Sequence, residues 1–258
     1  MSAPPLPTRP GWSTVTVAGH ACEIYVPDGP ASGRGLIALH DLCETRLQDD
    51  PLVASCIEAA ALPVLAPRTG RSWWLDRVMP GFDARTTAER HVIGPVRAEM
   101  AARFGVEPPG IALFGTGMGG QGALRIAYRH PQVFPVAAAI APAIDFHLGM
   151  REAGDRDDGE RFDTLWETFG DVERARQETA ILHVHPLNWP RHQCFTSDPD
   201  DADWHDGAAR LHGKLAALGI PHVARFGPAG GAHARGVVEE TFRFLRDALD
   251  AEARRLPT

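Results

Sequence analysis

The sequence predicts an α/β fold: a mainly parallel, twisted sheet with helices on both faces. Three observations carry that prediction. The short apolar runs at 35–40, 63–67, 111–114 and 135–141 read as strands buried on both faces of a sheet. Amphipathic helical patterns alternate with them, most clearly at 86–104, where Val92, Ile93, Val96, Met100 and Phe104 fall on one side. Strands alternating with helices imply parallel pairing through right-handed crossovers. With 258 residues and 44% hydrophobic content, the chain is long enough for one such domain with a sizeable core.

In order, residues 1–12 are a Pro-rich lead-in and 13–254 the single domain. Residues 13–17 and 22–26 alternate like two strands, with His20 between them. The strand at 35–40 ends in His40-Asp41, a helix spans 51–61, and 68–83 is a loop carrying Trp73 and Trp74. After the strand at 111–114 come glycines at 115, 117, 119 and 120, then a helix at 123–128. So many glycines mark a backbone that is crowded or at positive φ. From 148 to 191 the pattern loosens into a lid-like insertion, with a charged solvated loop at 155–160 and short helices at 162–169 and 172–180. Regular structure resumes with a strand at 193–197, a helix at 204–218, a last strand at 223–226 and a closing helix at 237–249.

Composition narrows the function. A net charge of −7 without any basic stripe argues against nucleic acid as a partner. No apolar run approaches the ~20 residues that span a bilayer, and the lead-in lacks the apolar core of a signal peptide. The four cysteines (22, 43, 56 and 194) form no C-x-x-C pair and no dense framework, which suits a reducing compartment. The expectation is a cytoplasmic protein acting on a small molecule, without cofactor or metal, with homo-oligomerisation left open.

The chemistry turns on the stretch 111–124, which reads as strand, tight turn, helix. Gly115, Gly117 and Gly120 match the dinucleotide fingerprint G-x-G-x-x-G, with Asp145 near the spacing of a ribose-binding carboxylate. Gly115 and Gly119 also match the nucleophile elbow G-x-S-x-G, with Gly117 where serine belongs. The dinucleotide turn normally opens its fold, whereas several elements precede this one. The elbow reading also accounts for an acid cluster after a later strand (Asp198, Asp200, Asp201 and Asp203) and for His233 in a Gly-rich turn near the end. Elbow, acid, histidine is the chain order of an α/β-hydrolase. The dinucleotide reading stays as the lesser alternative.

Taken together, these residues resemble the esterase D family of α/β-hydrolases, the group that contains S-formylglutathione hydrolases and related carboxylesterases. Gly115-Thr-Gly-Met-Gly-Gly-Gln-Gly-Ala-Leu124 is similar to that family's G-x-S-M-G-G-x-G-A-L. His130-Pro131 with Phe134, Pro142 with Asp145, the Ser72-Trp73-Trp74 stretch and the helix ahead of Gly231-Ala-His233 extend the likeness over about residues 35 to 250. The resemblance implies Gly117 at the nucleophile position, Asp201 as the acid and His233 as the base, with Asp198 and Asp203 still open as the acid. It implies an oxyanion hole from the Met118 N–H and one from Asp41 or Leu42, and a pocket bordered by His40, Trp73, Trp74, Thr116 and Trp189.

Glycine has no side chain to attack with, so serine-type ester turnover is expected to be lost or very weak. Removing the serine from a comparable triad costs about 10⁶ in kcat. A water activated by His233 could sustain slow hydrolysis, and Cys43 is a candidate displaced nucleophile, although an ordinary loop thiol is the simpler expectation. The alternative from another class is a non-catalytic pseudo-hydrolase that binds a small ligand or protein partner. A third reading takes Gly117 as an engineered replacement for serine. His183, His185 and His192 could ligate a metal with His40 or His205, but local hydrogen bonding is the simpler expectation.

Overall fold

A computed structural model of the chain describes residues 10–29, 32–152 and 159–255. The lead-in residues 1–9 and most of the charged stretch 155–160 lie outside the described residues. Eight strands form one sheet in the order β1-β2-β4-β3-β5-β6-β7-β8. β1 (Gly11–Val17) and β2 (His20–Val26) form an antiparallel hairpin, and β2 pairs antiparallel with β4 (Val64–Pro67). β3 (Gly35–Leu39) runs parallel to β4 and to β5 (Ile111–Thr116). β6 (Val136–Ile140), β7 (His192–Ser197) and β8 (Val223–Phe226) continue the parallel series. The mainly parallel sheet expected from the sequence is the one observed.

The two-residue period of the strands divides the core in two. On one face Leu36, Ala38, Ala112, Phe114, Val136 and Ala138 pack with Val53 and Ile57 of α1 (Pro51–Ala60) and with Phe242, Leu245 and Leu249 of α9 (Ala234–Ala253). On the other face Ile37, Leu39, Leu113, Ala137 and Phe195 pack against a second set of helices. These are α2 (Ala88–His91) and α3 (Arg97–Phe104), α4 (Gly117–Arg129) and α8 (His205–Ala217). Every strand from β3 to β7 therefore has side chains buried on both faces, which is why β3 to β6 read as apolar runs, whereas β7 also buries Gln193, Thr196 and Ser197.

Two elements differ from the sequence reading. The helix expected over 86–104 is interrupted by a π turn at Val92–Val96. Pro95 lies inside that turn and has no N–H to continue the α ladder. The helix after the glycines begins at Gly117 rather than at 123, because the glycines themselves form its first turns. Between β6 and β7 the short helices expected at 162–169 and 172–180 are observed as α6 (Asp163–Phe169) and α7 (Val172–Arg176), preceded by α5 (Phe146–Glu152). Leu165, Phe169, Ala175 and Ala180 of that segment are buried in the larger core cluster. Among the described residues no helix is long and apolar enough to cross a membrane.

Arg125, buried on α4, is clasped by Glu89 of α2 and Glu178. Its Nε also donates to the Glu178 carbonyl at 2.8 Å, and Arg129 and His130 reach Glu89 at 2.8 and 2.9 Å. Burial pushes the Glu89 carboxyl up, but the His130 hydrogen bond and the two guanidiniums outweigh it and hold the group below its usual range.

A Cβ at position 119 would lie 2.0 Å from the Leu39 carbonyl oxygen, which is backbone and cannot swing aside. Gly119→Ala is therefore expected to destabilise by about 3 kcal/mol or more, read from chemical denaturation. His91 is fully buried with neither ring nitrogen hydrogen-bonded among the described residues. Burial, aided by neighbouring His20 and opposed by Asp83, pushes its pKa from 6.5 down to about 4. The unfolded imidazole gains its proton first as pH falls, so stability is intact above 6.5 and is lost between 6.5 and about 4. His91→Phe should make Tm less steep against pH in that window, and an unchanged slope would rule His91 out as a cause.

Candidate active site

β3 lies between β4 and β5 in the sheet. The chain leaves β3 toward α1 on one face and leaves β5 toward α4 on the other. The carboxyl ends of β3 and β5 therefore diverge into a crevice at the point where strand order reverses, the place where open α/β sheets bind ligands. Asp41 enters the crevice from the loop after β3, and Gly117 from the turn after β5.

Gly117 has φ +49°, the left-handed conformation that a sharp strand-to-helix turn needs and that glycine adopts without strain. A Cβ there would come within 2.3 Å of Asp41 Oδ1, 2.7 Å of its Cγ and 2.8 Å of its Oδ2. The Asp41 carboxylate thus fills the space into which a side chain at 117 would project. Met118 N–H donates to Asp41 Oδ1 at 2.9 Å, and the positive end of the α4 dipole favours the anion at this position. The Met118 N–H expected as an oxyanion donor is thus engaged by a carboxylate of the same chain.

His40 anchors the other wall of the turn. It is buried, and its Nδ1 lies 2.8 Å from the Asp41 carbonyl, to which it donates, while Nε2 accepts from Thr69 N–H at 3.1 Å. Burial lowers its pKa, against the pull of the Asp41 hydrogen bond, so the ring is neutral and positions the backbone of 41. Trp74 Nε1 donates to the His40 carbonyl at 3.1 Å, and the two rings are 4.9 Å apart. Trp73 and Trp74 are fully buried with φ of +53° and +56°. Two consecutive left-handed tryptophans cost about 1–2 kcal/mol each and persist because the surroundings fix them. Trp73 is packed against Phe146 and Phe162 at 5.0 and 5.6 Å, and Thr164 Oγ1 donates to the Arg71 carbonyl at 2.9 Å. The segment between β6 and β7 thereby clamps the Trp loop.

The remaining expected site residues are placed as follows. Thr116 precedes α4 as its N-cap without a side-chain cap bond, and Leu42 and Trp189 pack half-buried against the larger core cluster. Cys43 is a free, exposed thiol on the Asp41 loop. Asp201 spends its carboxylate on the Asp203 and Trp204 amides at 3.0 and 3.1 Å, at the start of α8. Asp203 pairs with Arg161 at 3.3 Å. Asp198 is the acid tied to the turn before His233: it accepts from Ala229 N–H at 2.7 Å and Asp200 N–H at 3.0 Å. Those amides, Ala229 foremost, hold its carboxyl below the usual range. His233, itself exposed, closes a 3₁₀ turn, and no hydrogen bond joins its ring to any of the three acids among the described residues.

Asp145 is committed to Arg210, at 2.8 Å from its Nε. The three histidines of the insertion go separate ways. His192 meets Glu252 at 3.1 Å, His185 Nδ1 accepts from Leu187 N–H at 3.1 Å, and His183 is pushed down to a pKa of about 4, chiefly by burial. Among the described residues no group of three or more His, Cys, Asp or Glu is arranged to hold a metal. The sequence reading used Asp41 only for its backbone N–H and missed its side chain. The signal was present: a glycine at 117 leaves a side-chain volume vacant, and an acid two residues past β3 is close enough to fill it.

A family model described as "Putative esterase" matches residues 35–223. No curated protein matches the sequence. Among solved structures, an S-formylglutathione hydrolase from Agrobacterium tumefaciens superposes with a TM-score of 0.67 at 17% identity, covering 95% of this chain and 94% of that one. MPT51 of Mycobacterium tuberculosis gives 0.68 at 15%, covering 95% and 100%. A ferulic acid esterase gives 0.64 at 15%, covering 91% and 97%. At such identities the likeness speaks for the fold, and the fold is that of the α/β-hydrolases.

The division of labour among the acids is testable by amide exchange. Asp198→Ala should speed exchange at Ala229 by about tenfold or more, since a hydrogen bond to a charged group is lost. Asp201→Ala should instead loosen the start of α8 and leave Ala229 protected. Equal effects of both variants on Ala229 would contradict this assignment.

Proposed function

This chain belongs to the putative-esterase family of α/β-hydrolases, and from that premise we propose that it keeps the esterase frame while lacking serine-type acyl transfer. The observation that carries the reading is the Asp41 carboxylate, which occupies the space a side chain at 117 would take and accepts the Met118 N–H. A serine enzyme needs an oxygen nucleophile on that turn and a free donor for the carbonyl oxygen that becomes an oxyanion. Here the first is absent and the second is occupied. The ligand is a small molecule carrying an ester or a related polar group. Asp198, His233 and the Met118 N–H are the remaining parts of the frame, with Asp198 favoured over Asp201 by its bond to the turn before His233. The second reading, binding without turnover, is favoured by the same occupied donor.

The test is hydrolysis of p-nitrophenyl butyrate by the parent and by three variants: Gly117→Ser, Gly117→Ser/Asp41→Ala, and the latter with His233→Ala. The parent is expected at or near the buffer rate. Gly117→Ser alone should gain little, because Asp41 crowds the new side chain. The double variant should gain about 10²-fold or more and lose that gain with His233→Ala. A parent as active as the double variant, with burst kinetics of an acyl-enzyme, overturns the reading.

A further inference from the structure

Two histidines outside the crevice stand together where α8 meets the strand that follows it. His212 of α8 and His222, the residue before β8, face each other with Nδ1 and Nε2 only 2.8 Å apart. His212 is exposed and His222 half-buried, so solvent reaches the pair. Both rings are supported. His222 lies parallel to the Phe195 ring with centroids 6.0 Å apart, and His212 meets Phe226 edge-on at 5.6 Å. His222 Nδ1 is 2.8 Å from the Ile220 carbonyl, which can only accept, so Nδ1 carries the proton. In the neutral ring Nε2 then offers a lone pair, to which His212 Nδ1 donates.

An imidazole whose other nitrogen donates to a backbone carbonyl is the arrangement that orients metal-ligating histidines. The separation of the two nitrogens bears on which ion fits. Nitrogens ~2.0–2.1 Å from a metal lie about 2.9 Å apart in cis positions of a square or octahedral sphere, and about 3.3 Å apart on a tetrahedron. The observed 2.8 Å matches the first. We propose that His212 and His222 form a site for a divalent transition metal of tetragonal preference, Cu(II) foremost and Ni(II) next. The site is independent of the chemistry at the crevice. The ion takes the place of the shared hydrogen: a tilt of each ring points His222 Nε2 and His212 Nδ1 at it. The proton that His212 gives up from Nδ1 is taken by its own Nε2, so no net proton is released. Water fills the other positions, since among the described residues no group of three or more ligating side chains is assembled here. A bound ion cross-links α8 to the start of β8 and closes the connection between them.

The test uses the full chain carrying Cys43→Ser, which removes the exposed thiol as a competing ligand. With one equivalent of Cu(II), electron paramagnetic resonance should show a tetragonal spectrum coupled to two imidazole nitrogens. His212→Gln and His222→Phe should each leave one coupled nitrogen, and the second keeps a ring against Phe195. Loss of a supporting partner costs metal sites roughly 10–100-fold in affinity, so loss of a ligand should cost at least as much. His185→Ala, in the exposed part of the insertion, should change nothing. Calorimetry should rank Cu(II) above Ni(II) and Ni(II) above Zn(II). A first equivalent of Cu(II) that is indifferent to both variants, or that weakens equally in His185→Ala, overturns the proposal. Zn(II) binding more tightly than Ni(II) overturns the tetragonal geometry on which it rests.

Discussion

The first turn of α4 lies against the end of β3 so closely that no Cβ fits between Gly119 and the Leu39 carbonyl. That steric limit fixes the angle at which the chain leaves β5, and with it the position of Gly117 and Met118. It also draws the loop after β3 up to the N-terminus of α4, so that Asp41 meets the Met118 amide. His40 and Trp74 then complete the wall, since the Trp74 indole is anchored on the carbonyl that precedes Asp41. The electrostatics at the turn are consequences of this contact. An anion at a helix N-terminus is favourable wherever it comes from. Here the chain supplies its own.

The strain stored in Trp73 and Trp74 fits the same arrangement. Neither residue would stay left-handed unless tertiary packing overruled its local preference. The segment between β6 and β7 supplies that packing through Phe146 and Phe162. Gln121 of α4 accepts from the Ala180 N–H at 2.9 Å, which ties the far end of the same segment to the helix behind the turn. An insertion that sequence patterning presented as loose is therefore part of the frame that shapes the crevice.

β3 to β6 were legible because they are apolar on both faces, β1 and β2 because they alternate, and the strand–helix alternation left few ways to connect the rest. The π turn was not, since an amphipathic pattern is blind to which backbone bonds Pro95 removes. The glycine run was ambiguous for a physical reason: tight turns around a phosphate and tight helix–strand contacts demand the same absence of Cβ. Only the neighbours show that the crowding at 119 comes from the Leu39 backbone and that at 117 from a carboxylate. Asp41 was named for its amide because motif logic concerns backbone donors after that strand, and side-chain reach across a crevice has no sequence period. The choice among Asp198, Asp201 and Asp203 depended on loop geometry of the same kind. Three nearby acids, identical in chemistry, serve a turn, a helix start and a surface ion pair.

Far from the crevice, the clasp of Glu89 and Glu178 around Arg125 constrains how this sequence can drift. Burying ions is costly, and removing one member of such a cluster leaves its partners charged and dry, a loss of about 3–5 kcal/mol. Replacing the whole set with well-fitted apolar side chains can be neutral. Positions 89, 125 and 178 therefore form a ratchet: single steps away are steeply uphill, while the destination is level with the start. Relatives of this chain should divide into those that keep all three charges and those that have none.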